Sequence, residues 1–151
     1  MCWLSKILTG TVERPSPQDI VKERAIVADG DAAKVVIDLT QLNIPFTKLP
    51  KVWIPSIPDT NSMDGVFDSG NNNILIAGTD ATNQKALVDF IKVGDIAVYR
   101  TARMYAIHRV IKIDSDKDGK YFRFKGDNNA VADPDKVRES EIQWLSIGTV
   151  Y

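Results

Sequence analysis

The chain has 151 residues, 44% of them hydrophobic, with 19 basic and 20 acidic side chains and a net charge of -1 at neutral pH. That length suits one unit able to bury a core, and the even charge balance removes the electrostatic basis for a nucleic-acid or anionic-membrane surface. The single cysteine, Cys2, closes no internal disulfide, and no Cys/His cluster has metal-ligand spacing, so neither a structural metal nor a cofactor is expected.

Along the chain, Met1 to Leu8 is mildly amphipathic and reads as a segment packed on its own domain. Apolar runs such as Val35-Val36-Ile37 are short against the roughly 20 residues of a spanning helix or the 7 to 15 of an export signal. No transmembrane segment is therefore expected, and the location expected is cytoplasmic. Ser16-Pro17-Gln18-Asp19 joins a capping serine, a proline at the first helical position and a carboxylate in the first turn. It predicts a helix running through Ile20 to Val27 and ended by Gly30. Val35 to Leu39 reads as a strand, and Pro45, Pro50, Pro55 and Pro58 then break the chain into extended pieces. Residues 1–50 thus form an N-terminal extension to a main domain over 51–151.

In that domain, strands are predicted at Asn73 to Ala77, Ile96 to Arg100, Tyr105 to Ile113, Lys120 to Lys125 and Leu145 to Tyr151. A short helix from Asn83 to Ile91, capped by Thr82, interrupts them. Short strands joined by Gly and Asp turns argue for a mainly β fold, a compact, mostly antiparallel coiled sheet or partly closed barrel, with one or two short helices, mainly N-terminal. Asp114-Ser115-Asp116-Lys117-Asp118-Gly119 is like the first half of a calcium-binding loop. Position 12, however, is Lys125 where a bidentate glutamate is required, so the stretch reads as a solvated hairpin turn and no metal is assigned.

Three short stretches carry chemistry: Thr60-Asn61-Ser62-Met63-Asp64-Gly65, Ala106-Ile107-His108-Arg109-Val110, and Lys125-Gly126-Asp127-Asn128-Asn129 with Asp133 beyond it. They supply a serine, the chain's only histidine and an aspartate. A hydroxyl is a poor nucleophile until a neighbouring base takes its proton, and a neutral imidazole needs a third group to orient it and stabilise its charged form. His108 lies in an alternating strand, with Ile107, Arg109 and Ile111 on one face and His108 and Val110 on the other. An imidazole's ordinary pKa near 6.5 suits a general base near neutrality.

From Pro58 to Tyr151 these stretches resemble the type I signal peptidases of the endoplasmic-reticulum and archaeal kind, which use Ser-His-Asp where the bacterial branch and the SOS repressors use Ser-Lys. The box Lys125-Gly126-Asp127-Asn128-Asn129 and the run His108-Arg109-Val110-Ile111 are the closest matches. The resemblance implies Ser62 as nucleophile, His108 as general base, and Asp133, six residues past Asp127, as the orienting acid. It makes Asp127 a supporting residue and Thr60 the donor of a hydroxyl to the oxyanion, beside the Ser62 backbone N–H. A slip of two residues would give the role of Asp133 to Asp135. It also implies a β fold of the signal-peptidase type. The sequence departs from the family at Gly65, where proline is usual, at Asp64, which adds a negative charge, and in lacking a hydrophobic helix just before the serine.

The expected function is that of a soluble serine endopeptidase taking a peptide or protein substrate, with Trp53 to Asp59 as part of a peptide-binding edge by strand addition. Two other readings stand beside it. One is a weakly active or inactive peptidase-fold module that binds a peptide or protein partner. The other is a self-processing regulator like the SOS repressors, for which Ala28-Asp29 and Asp31-Ala32 are the small-residue bonds upstream of Ser62, although no helix-turn-helix precedes the domain.

Overall fold

A computed structural model describes residues 39–150. The predicted helix from Ser16 to Gly30, the amphipathic Met1 to Leu8 and most of the predicted strand from Val35 lie outside the described residues. Leu39, the last residue of that strand, instead begins a 3-10 turn, Leu39–Leu42. Leu39, Leu42, Ile44 and Phe46 pack on the main core.

Seven strands follow: β1 (Lys51–Trp53), β2 (Asn72–Ala77), β3 (Ile96–Arg100), β4 (Tyr105–Asp116), β5 (Gly119–Lys125), β6 (Val137–Arg138) and β7 (Ile142–Val150). They form one antiparallel sheet in the order β1-β2-β7-β3-β4-β5-β6. The mainly β, antiparallel architecture expected from the sequence is therefore present, but the sheet is not closed into a barrel. Its edges are β1 and β6, only three and two residues long. Pro50 and Pro55 flank β1 and limit its ladder, because proline has no N–H to donate. Bulges between Ile74 and Leu75, between Val98 and Tyr99 and between Val110 and Lys112 bend the sheet. Ile111 is the extra residue of the last bulge, so the alternation that holds from Ile107 to Val110 breaks there and leaves Ile111 exposed.

Among the described residues the single α-helix, α1 (Ala81–Phe90), lies between β2 and β3, where a short helix from Asn83 to Ile91 is expected. Its cap is Asp80, not Thr82. The Asp80 carboxylate accepts from the Asn83 backbone N–H at 2.9 Å and pairs with Lys48 at 3.1 Å, which leaves Thr82 inside the first turn. Leu87 and Val88 face the sheet and join Ile76, Ala97, Tyr99, Val110, Phe122 and Phe124 in the core. No helix among the described residues is long and apolar enough to cross a membrane.

The calcium-like stretch is the hairpin between β4 and β5. Asp116 pairs with Gly119 across a two-residue turn. Its carboxyl is held far below the usual range by Arg138 and Lys136, which bond it at 2.9 and 2.7 Å. Among the described residues no group of three or more His, Cys, Asp or Glu side chains is arranged to hold a metal ion.

Candidate active site

After β1 the chain runs extended past Pro55 and Pro58 and lies against residues 71–73, with the Ile57 N–H donating to Asn71 O at 2.9 Å and the Asn73 N–H to Pro55 O at 3.2 Å. Asn61 then turns it through a left-handed φ of 56°, a conformation Asn tolerates, and delivers Ser62 at the head of a tight loop. Val66 and Phe67 both donate backbone N–H groups to Met63 O. Met63 and Phe67 bury with Ile57 in a small second cluster against Ile96 and Ile107. Gly65 has φ 86°, which the ring of proline forbids.

The segment after β5 braces that loop. The Asn128 N–H donates to Ser62 O at 3.0 Å, the Asn128 side-chain amide to Asn61 O at 2.8 Å, and the Asp127 N–H to Met63 Sδ at 3.4 Å. The Asp127 carboxylate bonds neither Ser62 nor His108. It takes a two-point bond from Arg109, at 2.8 and 2.5 Å, and Arg109 also donates to Gly94 O at 2.7 Å. This pair ties the box to β4 in the register that carries His108, and Asp127 holds the Arg109 guanidinium above its ordinary pKa.

Gly126 lies directly against the serine loop. A Cβ there would stand 2.5 Å from Ser62 O and 2.7 Å from the Asn129 amide nitrogen. Gly126→Ala is therefore expected to destabilise the protein by about 2–3 kcal/mol. It should also lower any activity of Ser62 by about 10²-fold, as a displacement near 1 Å does. Urea unfolding checks the first effect, and wild-type stability in the variant would mean that the serine loop is not seated on this turn.

Three side chains converge across these elements. The Ser62 Oγ lies 3.1 Å from His108 Nε2, and His108 Nδ1 lies 2.7 Å from Asp133 Oδ2. His108 and Asp133 are largely buried, with 13% and 17% of their side chains exposed. Asp133 is fixed by its own N–H, which donates to Phe124 O at 2.9 Å, and by Arg123, which donates to Pro134 O at 2.8 Å. Asp135, the alternative two residues on, is exposed. Burial opposes ionisation of Asp133, but hydrogen bonds from His108 and Tyr99 outweigh it and hold the carboxyl below its usual range. Thr60 brings its hydroxyl 3.1 Å from Ser62 Oγ.

One member of the arrangement was not legible in the sequence. Tyr99, on β3, donates its hydroxyl to Asp133 Oδ2 at 2.6 Å. In Ala97-Val98-Tyr99 it looks like any aromatic of a core strand, and only the pairing of β3 with β4, Ala97 opposite His108, brings it beside the imidazole.

Beside Ser62 is a small cavity of about 70 Å³, lined in part by Ile57, Met63, Phe67, Tyr105 and Ile107. With Nδ1 bonded to a carboxylate, the neutral imidazole carries its proton on Nδ1 and leaves Nε2 free to accept from Ser62. Such a set is competent for nucleophilic attack by the serine with proton transfer to His108. No protein-family model, curated protein or solved structure matches the chain.

Proposed function

We propose that the protein is a serine endopeptidase related to the Ser-His-Asp signal peptidases, cleaving an extended peptide through an acyl-enzyme. The observation that carries this reading is the hydrogen-bonded series Ser62 Oγ to His108 Nε2 and His108 Nδ1 to Asp133, at 3.1 and 2.7 Å. Ser62 Oγ attacks the scissile carbonyl carbon and passes its proton to His108 Nε2. Asp133 stabilises the imidazolium that results. Collapse of the tetrahedral intermediate expels the amine, which takes that proton, and water activated by the same imidazole releases the acyl group.

The Ser62 backbone N–H and the Thr60 hydroxyl serve the oxyanion. Thr60→Val, which keeps the shape and removes the hydroxyl, is expected to lower kcat by about 10²-fold with little change in KM. Steady-state kinetics on a cleavable peptide read this directly, and an unchanged kcat would remove Thr60 from the mechanism.

The substrate is a peptide or protein strand, and the exposed side chains of Val52, Trp53 and Ile54 at and beside the β1 edge suit an extended partner adding there. A peptide-library digest with intact-mass detection of the acyl-enzyme tests the reading. Hydrolysis that disappears with Ser62 supports it. Absence of both hydrolysis and a Ser62 adduct with a fluorophosphonate sinks it and favours a module that binds peptide without cutting it.

A further inference from the structure

A buried phenol must find a partner for its hydroxyl, and most find a neutral carbonyl or water. Tyr99 is 2% exposed, and its partner is the same carboxylate oxygen that faces the imidazole. Asp133 Oδ2 lies 2.6 Å from the Tyr99 hydroxyl and 2.7 Å from His108 Nδ1, while the hydroxyl is 3.5 Å from that nitrogen. The ring stacks on Phe124 at 4.2 Å between centroids, and Phe124 in turn accepts the Asp133 backbone N–H through its carbonyl at 2.9 Å. Two adjoining residues of the core therefore hold Asp133, Tyr99 through its hydroxyl on the carboxylate and Phe124 through its carbonyl on the backbone N–H.

We propose that Tyr99 is a positioning residue, whose hydroxyl shares one oxygen of Asp133 with His108 and so sets how strongly that carboxylate acts on the imidazole. A neutral donor is suited to this, because it steadies the anion without adding a positive charge that would repel the imidazolium. Burial, then the hydrogen bond to Asp133, push the Tyr99 phenol far above its ordinary range, so it stays a donor at every working pH.

With the hydroxyl removed, the charge of Asp133 falls on His108 alone. The imidazolium is then held more tightly, and His108 becomes a poorer acid towards a leaving amine. Among the described residues the groups acting here besides these three are Ser62, the Arg123 charge that reaches Asp133, and the Asp135 charge that reaches Tyr99. A change confined to the Tyr99 hydroxyl leaves all of them in place.

His108 is the chain's only histidine, so in untagged protein its ring protons give one imidazole titration by NMR. Tyr99→Phe is expected to move that titration upward by about 0.5 pH, and 3-fluorotyrosine at position 99, a stronger donor of nearly the same size, to move it downward. Opposite signs support the proposal, since loss of packing alone does not reverse with donor strength. A titration that stays within about 0.1 pH in both variants, or moves the same way in both, overturns it. Should Tyr99→Phe fail to fold, the fluorotyrosine protein decides alone: a downward shift supports the proposal and no shift overturns it.

Only the consequence for rate rests on the peptidase reading. The titration is read without substrate, so a protein that shifts as expected but hydrolyses nothing loses the peptidase reading and keeps the coupling. One that hydrolyses peptide with an unmoved titration loses the coupling alone.

Discussion

Ser62→Ala is expected to cut peptide hydrolysis by about 10⁶-fold, with the thermal midpoint within about 2 °C of the wild type. The two halves of this expectation have separate causes. In the proposed mechanism the hydroxyl is the nucleophile, and no backbone group can replace it. The serine loop, by contrast, is held by contacts that the substitution leaves alone: the Asn128 N–H on Ser62 O, the Asn128 amide on Asn61 O, and the burial of Met63 and Phe67. The hydroxyl's own bonds to Thr60 and His108, both 3.1 Å long, lie at the edge of the site and contribute little to folding. His108→Ala should lose a similar factor, and the double variant no more than either single one, because the two side chains act as one unit. Kinetics with fluorophosphonate labelling read all three. A Ser62→Ala protein keeping more than about a hundredth of the wild-type rate would mean that another group does the chemistry.

Much of the frame around this serine is written locally. Ile96 to Arg100 is a strand over the residues expected, and the strand carrying His108 starts at Tyr105 as expected, because runs of β-branched and aromatic residues state their own conformation. The short strands β1 and β6 were not legible. Three and two residues carry no periodicity, and they become strands only because β2 and β5 offer them a ladder. Barrel closure depends on the same long-range pairing, and among the described residues β1 and β6 do not pair with each other.

The helix cap was misread for a local reason with a distant cause. Asp80 accepts from the Asn83 N–H and caps the helix ahead of Thr82, and Lys48, distant in sequence, pairs with it. The box from Lys125 to Asn129 reads in isolation as an ordinary turn. What it does becomes visible only when Ser62 O is found where a Gly126 side chain would stand. Tyr99 was hidden for the same reason, since its partner Asp133 lies thirty-four residues away.

The choice between Asp133 and Asp135 leads to the second large effect. Asp133→Asn keeps the shape of the side chain and removes its charge. With its amide oxygen in the place of Oδ2 it still accepts from Tyr99 and His108, but no anion faces the imidazolium; turned the other way, its NH₂ faces both and would favour the tautomer with the proton on Nε2, which cannot accept from Ser62. Both effects act in one direction, and a loss near 10⁴-fold in kcat is expected. The acid limb of kcat/KM should also move to lower pH, because loss of the neighbouring anion makes the imidazolium harder to form.

Stability gives an independent reading. The folded Asp133 carboxyl is held below its ordinary value of about 3.9, so its contribution is complete above that value and fades as pH falls through the lower folded one. The wild type should therefore lose its advantage in thermal midpoint over Asp133→Asn as the pH is taken below about 4. Asp135→Asn, at an exposed position, should change kcat by less than about threefold. A severe loss in Asp135→Asn with a mild one in Asp133→Asn would instead make Asp135 the acid and require the loop after Phe124 to sit two residues out of its present register.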